Sequence, residues 1–209
     1  MEDVAAIVLA AGRSERMGAF KPLLPFGNST VIESCIQSLL DGGVETLVVV
    51  LAQDLRAQEL KHHLQNAQVT LAINPNQGSE MSDSIACGVN QLPASTRAVL
   101  VTPADHPAVP SAVVAQLIYE WQHGAVLVVP TFNMRGGHPV LIDISFRAEL
   151  LKLDSRSGLK SLFEAHPDQV RRLAVNSNYI ARDLDTWDDY RVLHEEVFGV
   201  SPSEPGIDK

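Results

Sequence analysis

The feature that most constrains this chain is a series of short, wholly apolar runs set between amphipathic stretches. Val4–Leu9 carries no polar side chain, and Leu47–Leu51 and Ala98–Val101 repeat the pattern. A strand with one wet face alternates apolar and polar residues. A continuous apolar run must be covered on both faces, which is the situation of a strand inside a parallel sheet. Val126–Val129 extends the series, and Val69–Ile73 does so with a single threonine, Thr70. The stretches between them read as helices. Thr30, with Glu33 three residues on, forms a capping box, and Gly42-Gly43 ends that helix. Asp54 caps a segment running to about Gln65, Ser82–Gln91 is helical, and Pro110-Ser111 opens a helix to about Gln122. That proline falls near the first turn, where its missing N–H costs least. Alternation of this regularity predicts an α/β fold: a doubly wound, mostly parallel, Rossmann-like sheet with right-handed crossovers.

The pattern changes after Pro130. Thr131 to Gly137 reads as a glycine-ended loop, and His138–Ile142 as a short strand returning antiparallel, a small extension of the sheet. Two short helices follow, near 145–152 and 157–165, then a strand near 170–175 and a last helix from Thr186 to about Val197. With no internal repeat and no interdomain linker, residues 1–198 are expected to form one domain, and residues 199–209 a flexible tail.

Composition excludes several classes. The net charge is −9 and the longest basic cluster is the pair Arg171-Arg172, so a nucleic-acid surface tracking many phosphates is not expected. No window of 18 apolar residues occurs, and Met1-Glu2-Asp3 lacks the basic start of a secretory signal. A cytoplasmic protein with no membrane partner is the expectation. Cys35 and Cys87 stand outside any metal-binding spacing and are expected to be buried, reduced thiols.

In open α/β sheets, ligands bind at the carboxyl ends of the parallel strands. The loop after the first strand, Leu9-Ala10-Ala11-Gly12-Arg13-Ser14-Glu15-Arg16-Met17-Gly18-Ala19-Phe20-Lys21, is neither a Walker A loop nor a G-x-G-x-x-G dinucleotide loop. Its small residues allow backbone N–H groups to approach phosphate oxygens, and Arg13, Arg16 and Lys21 bring cations into one loop. From the residues alone, a solvated strand-to-helix connection explains it as well. After the fourth strand, Thr102-Pro103-Ala104-Asp105-His106-Pro107 presents a carboxylate suited to Mg²⁺, which takes oxygen ligands and substrate phosphates; a chain-turning Asp105 is the plain alternative. Asn74 to Gly88 opens a helix whose N-terminus favours anions, and Gly136-Gly137 before His138 permits close backbone approach.

The run L-A-A-G-x-S-x-R-M-G-x-x-K-x-L, at Leu9, Ala10, Ala11, Gly12, Ser14, Arg16, Met17, Gly18, Lys21 and Leu23, resembles the signature of the molybdenum cofactor cytidylyltransferase-like (MocA/MobA-like) NTP transferase family. The resemblance implies a nucleotide-diphospho-sugar transferase type of fold. It also implies that this loop, with Arg13, wraps the phosphates of a nucleoside triphosphate, and that Lys21 contacts the α-phosphate. Asp105 corresponds to the family's metal-binding aspartate. Asn74, Pro75, Met81, Ser84, Ile85 and Gly88 match a nucleotide-side segment that includes Gly78, although Glu80 stands where a glycine usually precedes Met81. Gly137, His138 and Pro139 match a Gly-His-Pro segment on the acceptor side, and Asp154–Leu159 occupies a further acceptor-side position. Asp183–Tyr190 is similar to the family's closing D-I-D-T-P-E-D-Y, with Trp187 replacing proline. Asp185 is then the candidate second metal ligand, while Thr186 and Asp189 cap the last helix.

The chemistry so implied is Mg²⁺-dependent nucleotidyl transfer. An acceptor phosphate attacks the α-phosphorus and pyrophosphate leaves, Lys21 offsetting charge at the α-phosphate and Arg13 or Arg16 holding the pyrophosphate end. Three readings stay open on sequence: transfer of CMP to molybdopterin or its molybdenum form, another transfer on the same fold (guanylyl transfer, or transfer to a sugar or alcohol phosphate), or a non-catalytic chaperone that delivers the cofactor to a molybdoenzyme apo-protein.

Overall fold

The computed structural model describes residues 3–12, 17–65, 67–76 and 80–202. The elements in chain order are β1 (Asp3–Leu9), β2 (Pro25–Phe26), β3 (Ser29–Thr30), α1 (Val31–Asp41), β4 (Thr46–Ala52), α2 (Leu55–His63), β5 (Thr70–Asn74), α3 (Met81–Asn90), β6 (Thr96–Pro103) and α4 (Ser111–Gln122). They continue with β7 (Leu127–Phe132), β8 (Arg135–Gly136), β9 (Val140–Asp143), α5 (Arg147–Leu150), α6 (Leu159–Ala165), β10 (Val170–Ala174) and α7 (Trp187–Phe198). Short 3-10 turns lie at Lys21–Leu23, Ile144–Phe146, Pro167–Gln169 and Asn178–Ala181.

The main sheet runs in the order β10-β7-β9-β6-β1-β4-β5, with β8 hydrogen-bonded to β7. β6, β1, β4 and β5 are parallel, as are β7 and β10. The doubly wound α/β reading stands. The antiparallel strand β9 is not at a margin, however: it lies inside the sheet, paired antiparallel to both β6 and β7. The stretch read as a loop after Pro130 is also more ordered than expected. β7 continues to Phe132 and returns through a two-residue turn into β8, with Phe132 opposite Arg135.

The apolar runs are covered on both faces. Val4, Ala6 and Val8 of β1 pack on one side with Ile32, Ile36 and Leu39 of α1, Leu60 of α2 and Leu117 of α4. Ala5 and Ile7 face the other side with Ile85 and Val89 of α3 and Leu150 of α5. Gly88 lets α3 approach the sheet closely, since a Cβ there would meet Ile7 Cγ2 at 2.7 Å. A third, smaller cluster joins α7 to the segment after the first loop, through Met17, Leu24, Phe26, Val31, Leu184, Tyr190 and Leu193. Cys35 is buried, with burial pushing its thiol pKa up; Cys87 is only half-buried, short of the full burial expected for it. Among the described residues no helix is long and apolar enough to cross a membrane.

Candidate active site

The topology dictates where a ligand fits. From β1 the chain crosses to β4 and β5 on one side, then returns to β6 on the other. The crevice at such a reversal opens at the carboxyl ends of the two strands that flank it. Those ends lie level: Leu9 pairs with Pro103, and the Ala104 N–H donates to the Leu9 carbonyl at 3.0 Å. A cavity of about 270 Å³ opens there, lined by Leu9, Ala10, Ala11 and Gly12 from the first loop, Lys21 and Pro22, Met81 and Ser84 of α3, and Pro103, Ala104 and Asp105. Among the described residues, chain neighbours aside, no atom lies within 4 Å of where a Gly12 Cβ would stand.

Lys21 projects from the 3-10 turn at Lys21–Leu23, where Pro22 is buried and anchors the turn. Its Nζ lies 3.0 Å from Asp185 Oδ1 and 3.6 Å from Asp105 Oδ2, with the lysine side chain only 11% exposed. One ammonium is thus held between two carboxylates 80 residues apart in the sequence. Asp105 Oδ1 is buried with no hydrogen-bond partner among the described residues. Cys35 of α1 donates to the Ala104 carbonyl at 3.3 Å and steadies the loop that presents Asp105.

On the α3 side, the buried Asn74 donates through Nδ2 to Ser84 Oγ at 3.0 Å, and its Oδ1 accepts from the Asn76 N–H. Asn74 does not line the cavity; it ties the end of β5 to Ser84, which does. Met81 is 48% exposed at the first turn of α3, and Glu80 stands at its N-cap without a side-chain cap bond. A second cavity, of about 1300 Å³, adjoins the first and shares Met81, Pro103 and Asp105 with it.

The profile of the MobA-like NTP transferase domain matches residues 6–170 of the 209. The chain belongs to that family. It is a nucleotidyltransferase of the MobA-like group. Among curated proteins it is similar to a nicotine blue oxidoreductase of Paenarthrobacter nicotinovorans, 25% identical over 199 residues that cover 91% of this chain and 96% of the relative. It is also similar to the molybdenum cofactor cytidylyltransferase of Escherichia coli K12, 24% identical over 197 residues covering 93% and 97%. Among solved structures, Rv0371c of Mycobacterium tuberculosis H37Rv superposes with a TM-score of 0.81 at 26% identity, covering 92% of this chain and 98% of that one. A second structure of Rv0371c, in complex with manganese, superposes with a TM-score of 0.77 at 24% identity, with the same coverage.

In this transferase Gly137 and His138 line the larger cavity, and the segment they share with Pro139 is held close against Ile180. A Cβ on Gly137 would overlap the Ile180 carbonyl, and the His138 N–H donates to that same carbonyl at 2.7 Å. The close approach that glycine permits is therefore to the protein's own backbone. Pro139 is buried. Burial, helped by the neighbouring His106, holds the His138 pKa down at about 4, so the ring is neutral at pH 7 and brings no positive charge to an anion. The rings of His106 and His138 meet edge to face with centroids 5.4 Å apart.

Sequence reasoning assigned His106 no ligand role. The structure buries it in the wall of the larger cavity, its pKa lowered by burial, with Nε2 3.8 Å from Asp105 Oδ1. Arg156, within the Asp154–Leu159 segment expected on the acceptor side, also lines that cavity, as do Lys160 and Arg172, which were not singled out. Their distance from the first loop in sequence left no local signal. Gly18 adopts φ +65 within the first loop and does not line the smaller cavity. Arg13, Ser14, Arg16 and Gly78, nominated from sequence, lie outside the described residues.

Proposed function

We propose that this transferase moves CMP from CTP to the phosphate of a molybdopterin-type acceptor and releases pyrophosphate, with Mg²⁺ as its cation. The observation that carries this reading is the position of Lys21 and Asp105. They stand where a smaller cavity walled by the first loop meets a larger one lined by Arg156, Lys160 and Arg172. The smaller cavity suits the nucleotide phosphates, and the larger suits an anionic acceptor. The Escherichia coli relative named as a cytidylyltransferase supports the choice of base and acceptor.

The residues fit a divalent cation bound through oxygen. Asp105 Oδ1 is a buried acceptor without a hydrogen-bond partner among the described residues, and Asp185 shares the Lys21 ammonium with Asp105. Among the described residues no group of three or more His, Cys, Asp or Glu side chains is placed to hold a metal. That suits Mg²⁺, which takes one or two carboxylates and leaves its other positions to water and substrate phosphates. The manganese complex of Rv0371c supports divalent cation use. When bound, the cation would neutralise charge on the nucleotide phosphates.

The chain's own part is positioning. Asp185 accepts a hydrogen bond from Lys21 Nζ, so the ammonium is in place before charge develops at the α-phosphate. The backbone at Ala10–Gly12, with Arg13 and Arg16, holds the triphosphate. An oxygen of the acceptor phosphate attacks the α-phosphorus in line, the bond to the bridging oxygen breaks, and pyrophosphate leaves with the electron pair. The attacking group is already an anion, so no general base is required. The test is pyrophosphate release with CTP, GTP or ATP and molybdopterin. Turnover with CTP supports the proposal, turnover only with another acceptor reassigns the substrate, and tight binding without turnover makes the protein a carrier that hands the cofactor to an apo-enzyme.

A further inference from the structure

The segment that carries Lys21 is fastened by α7 through backbone contacts. Trp187 Nε1 donates to the Met17 carbonyl at 3.0 Å. Tyr190 donates its hydroxyl to the Pro25 carbonyl at 2.5 Å. The Gly27 N–H donates to His194 Nε2 at 3.4 Å, while His194 Nδ1 donates to the Val200 carbonyl at 2.7 Å. The two His194 bonds together require the neutral ring with its proton on Nδ1.

Residues 187, 190 and 194 recur at the spacing of one helix face. Each sends a polar ring atom to a different backbone group of Met17–Gly27, the stretch whose middle is Lys21. The Thr186–Asp189 capping box fixes where α7 begins, and Asp185, one residue before the cap, meets Lys21 itself. A helix that only had to bury an apolar face would be served as well by phenylalanine at 187 and 190. Tyr190 is 1% exposed inside the apolar cluster of Met17, Leu24 and Phe26, yet its hydroxyl reaches out of that cluster to a carbonyl. The contacts fix the path of the backbone, not merely its burial.

We propose that Trp187, Tyr190 and His194 are positioning residues that hold the Met17–Gly27 segment so that Lys21 meets Asp105, and that nucleotide affinity depends on them. The inference rests on the nucleotide reading of the Lys21 cavity.

The experiment uses the full chain and titration calorimetry with CTP in the presence of MgCl₂. Trp187→Phe and Tyr190→Phe keep the rings and remove one hydrogen bond each, which corresponds to about a fivefold loss of affinity per bond if the segment's position is what the bond maintains. The double variant is expected to bind more weakly than either single one. Trp121→Phe is the control. It removes a comparable bond, from Nε1 to Asp143 at 2.8 Å, between residues that line neither cavity. It is expected to lower the melting temperature and leave CTP affinity unchanged. Wild-type affinity in both Trp187→Phe and Tyr190→Phe overturns the inference, as does an equal loss in Trp121→Phe, which would mark the effect as general destabilisation. Lys21→Ala separates the two levels. If it binds CTP like the wild type, the nucleotide reading itself fails and the inference falls with it. If it binds weakly while the α7 variants bind normally, only the role given to α7 is overturned.

Discussion

Replacing Lys21 by alanine removes the cation that two carboxylates share, and the structure sets the size of two separate effects. The first is on stability. At an effective dielectric of 20, contacts of 3.0 and 3.6 Å correspond to gross attractions of about 5.5 and about 4.6 kcal/mol. Most of that is offset by the desolvation of three ions, and Asp105 and Asp185 are 26% and 38% exposed, so water also screens them. The net loss for Lys21→Ala is then about 1–3 kcal/mol, or a fall in melting temperature of roughly 2–10 °C for a chain of this size. The second effect is on turnover. Loss of one preorganised charge at the α-phosphate lowers kcat by about 10²–10³-fold.

The double variant Lys21→Ala/Asp185→Ala distinguishes the two. Removing Asp185 relieves the repulsion left between the carboxylates, so part of the lost stability returns. Turnover does not return, because the charge at the phosphate is still missing. Thermal denaturation and a pyrophosphate-release assay read the two effects independently. Turnover of Lys21→Ala within about threefold of the wild type would refute the argument, since a transition-state contact of this type is worth far more than that. Recovery of turnover in the double variant would refute it equally, by showing that Lys21 serves only to neutralise Asp185.

Asp105→Asn keeps the side-chain shape and removes the charge; the Mg²⁺ concentration for half-maximal pyrophosphate release is expected to rise more than about tenfold, and EDTA to abolish wild-type turnover until Mg²⁺ or Mn²⁺ is restored. His138 gives a pH dependence. Its folded pKa of about 4 lies below the unfolded value of about 6.5, so the unfolded chain takes up a proton first as pH falls. Stability from this group is present above pH 6.5 and is lost between 6.5 and 4, about 2 kcal/mol of it by pH 5. Urea midpoints at pH 7.5 and 5 should therefore separate less in His138→Gln than in the wild type. Gly137→Ala would drive a methyl group into the Ile180 carbonyl; a loss of about 3 kcal/mol or more is expected in urea unfolding, and a variant as stable as the wild type would contradict the packing described.

The elements legible in the sequence are those whose signal is local. β1, β4 and β6 announce themselves as apolar runs because both faces of each are covered, and α1 does so through the Thr30–Glu33 capping box. The β7–β8 hairpin was hidden because its turn is made by Asn133 and Met134, at φ 48 and 67. Positive φ at both turn residues normally shows itself as glycine, and here no glycine marks it. The place of β9 between β6 and β7 was equally invisible, since a four-residue strand carries no record of its neighbours. In the site, Lys21 and Asp105 were found through their loops. The meaning of Gly137 was not, because a glycine signals only that something approaches, and Ile180 lies 43 residues further on.

The span that the family profile matches ends at residue 170, before Asp185 and before α7 begins at Trp187. The first loop, Lys21 and Asp105 lie inside that span, whereas the groups that hold Lys21 in place lie beyond it. Family membership therefore accounts for the type of chemistry but not for how firmly the lysine is held. A carboxylate at 3.0 Å fixes the ammonium, and bonds to Met17, Pro25 and Gly27 fix the backbone beneath it. Rigidity of this kind acts before the nucleotide arrives, because a side chain already in place loses no rotamer freedom on binding. Its cost is that incoming phosphates compete with Asp185 for the same ammonium. Asp185→Asn is thus expected to tighten ground-state nucleotide binding while lowering kcat, because the lysine becomes easier to reach and less well placed. Opposite movement of Kd and kcat is a pattern that simple loss of stability does not produce; a parallel fall in affinity and rate would show that Asp185 does no more than support the fold.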